Sequence, residues 1–228
     1  MRGLPHHLQQ RMTERTFSAR LDCRYLLQPS GDDAALIVAL HGFSSSPEVM
    51  LRLTALLTGP RHAIASVQGP NQFFMGTQTS EVGYGWNTNR RHADSIRLHH
   101  DMVLHVLEDA GRECGIPPER RVLLGFSQPV SLNYRFAVAH PGAVRGVIAI
   151  CGGLPGDWDD AHPQPIGPAV LHLARRNDEF YPPSLTEQYP NRLRLRSEDV
   201  EFHQLEGGHR VPSAGGPIVQ DWLPRILR

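Results

Sequence analysis

Six apolar runs of strand length, at residues 35–40, 63–67, 122–126, 144–150, 169–173 and 200–205, alternate along this chain with longer stretches of helical pattern. The alternation predicts βα units around a mainly parallel sheet, because parallel neighbours need a long crossover and a helix supplies it. Several runs are apolar almost throughout, as a strand covered on both faces requires. Helices are predicted at residues 47–57, 95–115, 130–139, 184–196 and 217–227. In the longest, Ile96, Met102, Val103, Val106, Leu107 and Ala110 fall close to the three-and-four spacing of one apolar face. Pro47, behind Ser44, Ser45 and Ser46, reads as a first helical position after an N-cap. Residues 16–27 predict a hairpin or edge strand at the start.

A length of 228 residues fits one α/β domain spanning 1–228, with 1–12 a flexible N-terminal segment. Two stretches lack periodicity: 69–89, rich in Gly, Asn and aromatics, and 151–168, rich in Pro and Asp. Loops of that length in compact domains tend to be functional, and neither is long enough for a separate cap domain. Lys plus Arg and Asp plus Glu both number 23, so no net field favours nucleic acid or an anionic membrane. Cys23, Cys114 and Cys151 are odd in number and widely spaced, which argues against a disulfide framework or a zinc site and for a reducing compartment. The first dozen residues lack the apolar stretch of a secretory signal, and no run approaches the roughly 18 apolar residues of a membrane span. The chain reads as soluble and cytoplasmic, without integral membrane association; a homodimer is left open.

The chemistry is concentrated where the run at 122–126 ends in Gly125-Phe126-Ser127-Gln128-Pro129. A strand, a Gly, one residue, a Ser and then helical sequence is the order of a nucleophile elbow, which lifts a serine oxygen above a sheet edge. A serine hydroxyl needs a base in reach and an acid to orient that base. In an open α/β sheet these belong in loops beyond the carboxyl ends of later strands. Asp178 follows the run at 169–173, and His209 follows the run at 200–205. An oxyanion would need converging N–H donors. Gln128, after the serine, and Phe43, in the loop after the first core strand, are the candidates.

Taken in order, Leu40-His41-Gly42-Phe43, Gly125-Phe126-Ser127-Gln128, Asn177-Asp178-Glu179-Phe180-Tyr181-Pro182 and Gly207-Gly208-His209-Arg210-Val211-Pro212 resemble the phospholipase/carboxylesterase family, which includes the acyl-protein thioesterases. Each motif is weak alone; four in order, each behind a strand, are specific. The resemblance runs from about Ala34 to the C-terminus. It implies an α/β-hydrolase fold and hydrolysis of a small-molecule carboxylic ester or thioester with no metal or organic cofactor. It also implies Ser127 as nucleophile, Asp178 as acid, His209 as base, and Phe43 and Gln128 as oxyanion donors. The departure is Pro129, where the family has a second Gly. Gly there lets the elbow helix approach a neighbouring strand, and Pro biases Gln128 away from the helical region; against that, Pro is tolerated in a first helical turn. The alternative reading is a weakly active or non-catalytic scaffold used for binding.

Rivals to the acid are Glu179, Asp157, Asp159 and Asp160, and His203 rivals the base from inside a strand. His41 reads as a loop brace. His92, His99, His100 and His105 point around a helix and read as a solvated face, not a metal site. Aromatics in the loops, Phe73, Trp86 and Phe180 first among them, are expected to wall a substrate pocket.

Overall fold

The computed structural model describes residues 13–31, 34–159 and 165–228; the expected flexible segment 1–12 and the rival Asp160 lie outside the described residues. The strands are β1 (Tyr25–Gln28), β2 (Leu36–Leu40), β3 (Ala63–Val67), β4 (Asn71–Phe74), β5 (Val82–Gly85), β6 (Arg121–Phe126), β7 (Gly146–Ile150), β8 (Ala169–Arg175) and β9 (Val200–Leu205). Between them run α1 (Pro47–Thr58), α2 (His92–Glu113), α3 (Val130–Ala139), α4 (Pro183–Thr186), α5 (Tyr189–Arg194) and α6 (Gly215–Ile226). The main sheet orders its strands β1-β3-β2-β6-β7-β8-β9. All pairings are parallel except β1 with β3, so residues 16–27 contribute an antiparallel edge strand and no hairpin.

The central strands β2, β3 and β7 are buried on both faces, which is why they read as unbroken apolar runs, while the edge strands β1 and β9 are half-buried. Along β2, Leu36, Val38 and Leu40 pack into one core with Val103, Val106 and Leu107 of α2, while Ile37 and Ala39 join the other with Met50 of α1 and Trp222 of α6. α1 begins where its sequence says it should: Ser46 Oγ accepts the Val49 N–H, and Pro47 occupies the first turn. The chain goes from β2 to β3 on one side and returns to place β6 on the other. Strand order therefore reverses between β2 and β6, and the crevice beyond their carboxyl ends is where an open α/β sheet binds ligands.

Two expectations are corrected. The helix predicted at 184–196 is two short ones, α4 and α5. Pro190 has no N–H to give the Thr186 carbonyl, so a continuous helix would lose that bond and clash there. The stretch 69–89 holds a β-hairpin, β4 paired with β5. Among the described residues there is no separate cap, and no helix is long and apolar enough to cross a membrane.

Burial also sets an acid limit on the fold. It holds the His99 imidazole down to about 3, with His100 adding to the effect, and it holds His172, on β8, down to about 3. In an unfolded chain both titrate near 6.5, so below that pH the unfolded state binds protons that the folded state refuses. Stability is thus full above about pH 6.5 and falls as pH drops toward the folded values, by up to about 1.4 kcal/mol per pH unit for each histidine. Urea midpoints should fall steadily between about pH 6.5 and 4; a level midpoint across that range would contradict the assignment.

Candidate active site

Ser127 follows β6 directly and sits at φ 62, in the left-handed region that a side chain disfavours. The strain is held by two backbone bonds: the Ser127 N–H donates to Ile150 O at 2.8 Å, and the Val130 N–H donates to Ser127 O at 3.1 Å. The result turns the chain sharply and leaves Oγ facing the crevice. Pro129 stands just before α3 with φ -75, and its carbonyl accepts the Asn133 N–H at 2.8 Å. Its ring needs no change from proline's own φ, and its missing N–H precedes the helix ladder. Close approach of α3 to the neighbouring strand is provided from the other side, by Gly152. A Cβ on Gly152 would lie 2.3 Å from Val130 Cβ and 2.8 Å from Ser127 O. Pro129→Gly should therefore leave turnover within about threefold and cost about 0.4–1 kcal/mol through a looser unfolded chain, read from initial rates and a urea melt.

The loop after β8 carries Asp178, which is 2% exposed. Its Oδ1 accepts the N–H groups of Phe180 and Tyr181, each at 2.9 Å, which pins the carboxylate. His209, after β9, donates from Nδ1 to Asp178 Oδ2 at 2.9 Å and to Oδ1 at 3.0 Å. Its Nε2 lies 2.8 Å from Ser127 Oγ. Phe126, Phe180 and Tyr181 surround the imidazole, with ring centroids at 5.1, 4.8 and 5.9 Å. The backbone N–H of His209 donates to Glu179 Oε2 at 3.4 Å, so this rival acid braces the loop while Asp178 takes the ring. Asp157 and Asp159 pair with Arg135 and Arg192, and His203 pairs with Glu201.

Across the crevice, the loop after β2 is held by a buried His41. His41 Nε2 accepts the Gly69 N–H at 2.9 Å, so the ring proton is on Nδ1, which donates to Gly42 O at 2.7 Å. Burial keeps the ring neutral by lowering its pKa. A planar trans peptide points its N–H away from its C=O, so anchoring the Gly42 carbonyl inward turns the Phe43 N–H outward. Among the described residues no acceptor takes the N–H of Phe43 or Gln128. Both residues line the same cleft as Ser127 and His209.

That cleft has a volume of about 480 Å³ and includes Phe43, Asn87, Phe126, Ser131, Phe180 and Tyr181 in its wall. No Asp, Glu, Lys or Arg among the described residues lines it. Of the expected wall residues, Phe180 is there. Phe73 is one layer back, stacked on Phe43 with centroids 4.9 Å apart. Trp86 is corrected: it is 1% exposed and forms part of the core. Its indole N–H must be satisfied where no water reaches, and it donates to His41 O at 2.8 Å. His99 is also corrected, from a solvated face to full burial with Nε2 at 3.1 Å from Asn133 Oδ1.

Cys151, which the sequence places only among three unpaired cysteines, stands buried beside Asp178 and His209 at φ 47. Cys151, Asp178 and His209 hold ligand atoms within 4.8 Å of one another, so their types could meet a metal ion. Asp178 and His209 spend those atoms on each other, and the Cys151 thiol is pushed up to about 12 by burial, with the Asp178 charge adding to it. A thiol so held is a neutral packing group. Only its place after β7, next to the serine strand, could have drawn notice.

No family model and no curated protein matches this chain. Solved structures do. A Bacillus cereus carboxylesterase superposes with a TM-score of 0.72 at 15% identity, over 90% of this chain and 94% of the other. The esterase PE8 gives 0.72 at 21% identity, over 90% and 100%. A Zea mays acyl-protein thioesterase 2 gives 0.69 at 16% identity, over 90% and 99%. The likeness establishes the α/β-hydrolase fold, and it is to proteins of the kind that the four motifs resemble.

Proposed function

We propose that this chain is a serine hydrolase of the phospholipase/carboxylesterase type, cleaving an uncharged carboxylic ester or thioester of modest acyl size. The observation that carries the reading is the continuous line from Ser127 Oγ through His209 to Asp178, at 2.8 and 2.9 Å, ending on a strained serine in an accessible cleft. Strain of this kind persists only where surrounding structure enforces it, and it concentrates at functional sites.

In this reading Ser127 Oγ attacks the acyl carbonyl as His209 Nε2 takes its proton, and Asp178 stabilises the imidazolium. The N–H groups of Phe43 and Gln128 receive the negative charge on the former carbonyl oxygen. Collapse expels the alcohol or thiol, which takes the proton from His209. Water then repeats the attack on the acyl-enzyme and releases the acid. With no Asp, Glu, Lys or Arg among the described residues of the wall, selection would rest on shape and on the aromatics Phe43, Phe126 and Phe180.

A fluorophosphonate probe tests this directly, since Oγ would displace fluoride and stay phosphonylated. One adduct per chain, mapped to Ser127, together with turnover of p-nitrophenyl acetate, is the expected result. Absence of both would end the hydrolase reading.

A further inference from the structure

Trp86 touches both halves of the proposed oxyanion hole without touching the cleft. Its indole Nε1–H donates to His41 O at 2.8 Å, in the loop that presents Phe43. Its backbone N–H donates to Gln128 Oε1, also at 2.8 Å. The Gln128 amide completes the clasp by donating from Nε2 to Asn87 O at 3.0 Å. The Gln128 amide thus accepts from the backbone N–H of residue 86 and donates to the backbone carbonyl of residue 87. Only one orientation of its amide satisfies both.

The clasp is stiff. The indole is buried and packs against the rings of His41 and His99, with centroids at 5.4 and 5.7 Å. Just before it, Gly85 lets the hairpin end lie between the two donor residues. A Cβ on Gly85 would be 3.1 Å from the Phe43 ring and 3.5 Å from Gln128 Oε1. The two donor N–H groups come from loops after different strands, β2 and β6, and their spacing has to match one oxygen atom. Donors act at about 2.7–3.1 Å from the developing oxyanion, and displacements on the order of 1 Å cost about 100-fold in rate.

We propose that Trp86 and the Gln128 side chain are positioning residues that set the separation of the Phe43 and Gln128 N–H groups. This rests on the hydrolase reading above. Substrate would meet the Gln128 N–H, while the amide of the same residue holds that N–H in place from behind.

The test uses Gln128→Met, which keeps length and the backbone donor but loses both clasp bonds, and Trp86→Phe, which keeps the aromatic filling but loses the indole donor. Each should lower kcat on p-nitrophenyl acetate by about 10- to 100-fold with KM within about threefold, the pattern of an interaction made in the transition state. Affinity for phenylboronic acid, whose tetrahedral adduct on Ser127 would place an oxygen in the hole, should fall in the same proportion. Fluorophosphonate titration should still count a full complement of sites, which a merely unfolded fraction would not give. If Trp86→Phe fails to fold, Gln128→Met decides, because its side chain is half-buried and replaced by one of equal length. Wild-type boronate affinity in a folded, active Gln128→Met protein overturns the inference and leaves the hydrolase reading intact. A wild type that takes neither ester nor boronate removes both.

Discussion

Asp178→Asn should lower kcat by about ten-thousandfold with little change in melting temperature, because it reverses a proton without moving an atom. Asp178 Oδ1 already accepts the Phe180 and Tyr181 N–H groups. In the Asn variant those two donors would claim the carbonyl oxygen, leaving the NH2 to face His209 Nδ1. Two donors cannot share that contact, so the imidazole would shift its proton to Nε2. Nε2 is the nitrogen 2.8 Å from Ser127 Oγ, and in this tautomer it can no longer take the serine proton. Initial rates on p-nitrophenyl acetate beside a thermal melt would read the effect. A loss of less than about tenfold in a folded variant would show that His209 does not depend on Asp178.

Trp86→Ala should destabilise the protein by about 3–5 kcal/mol, the usual cost of emptying a large aromatic site in a core. For a chain of this size that lowers the melting temperature by on the order of 10 °C. The cause is both a void behind the loop and a His41 carbonyl left without its donor. As a buried residue it should not shift acyl-chain preference in the protein that remains folded. A variant of nearly wild-type stability with altered chain-length preference would put Trp86 back on the pocket wall.

Strands such as β2 and β3 are legible because burial on both faces demands apolar residues in unbroken runs, and the half-buried edge strand β9 is legible from apolar residues at Val200, Phe202 and Leu205 among polar ones. β3 and β9 have the bounds the periodicity predicts, at 63–67 and 200–205. The β4–β5 hairpin was not legible. Its strands run through Asn71, Gln72, Gly83 and Gly85 and stand largely off the core, so neither alternation nor an apolar run marks them. The break between α4 and α5 was legible in principle, since Pro190 is in the sequence, but the helical pattern around it was stronger than the single breaker.

At the site, motif order placed Ser127, Asp178 and His209 at the ends of β6, β8 and β9, and the geometry that joins them follows from parallel strands ending on one edge. Sequence by itself determined the alternating α/β order, the serine turn and the loops where partners could stand, because these depend on local pattern and chain order. Only the tertiary structure decided which aromatics face the cleft, how Pro129 is accommodated, and that Trp86 ties the Phe43 loop to Gln128. Those are matters of which segments touch across the sheet edge. In sequence Trp86 reads as one more loop aromatic, whereas its hydrogen-bond partners, His41 and Gln128, stand 45 positions before it and 42 after. An indole reads the same in sequence whether it meets substrate or a backbone carbonyl. Its surroundings are set by contacts between distant segments, which local propensity does not carry.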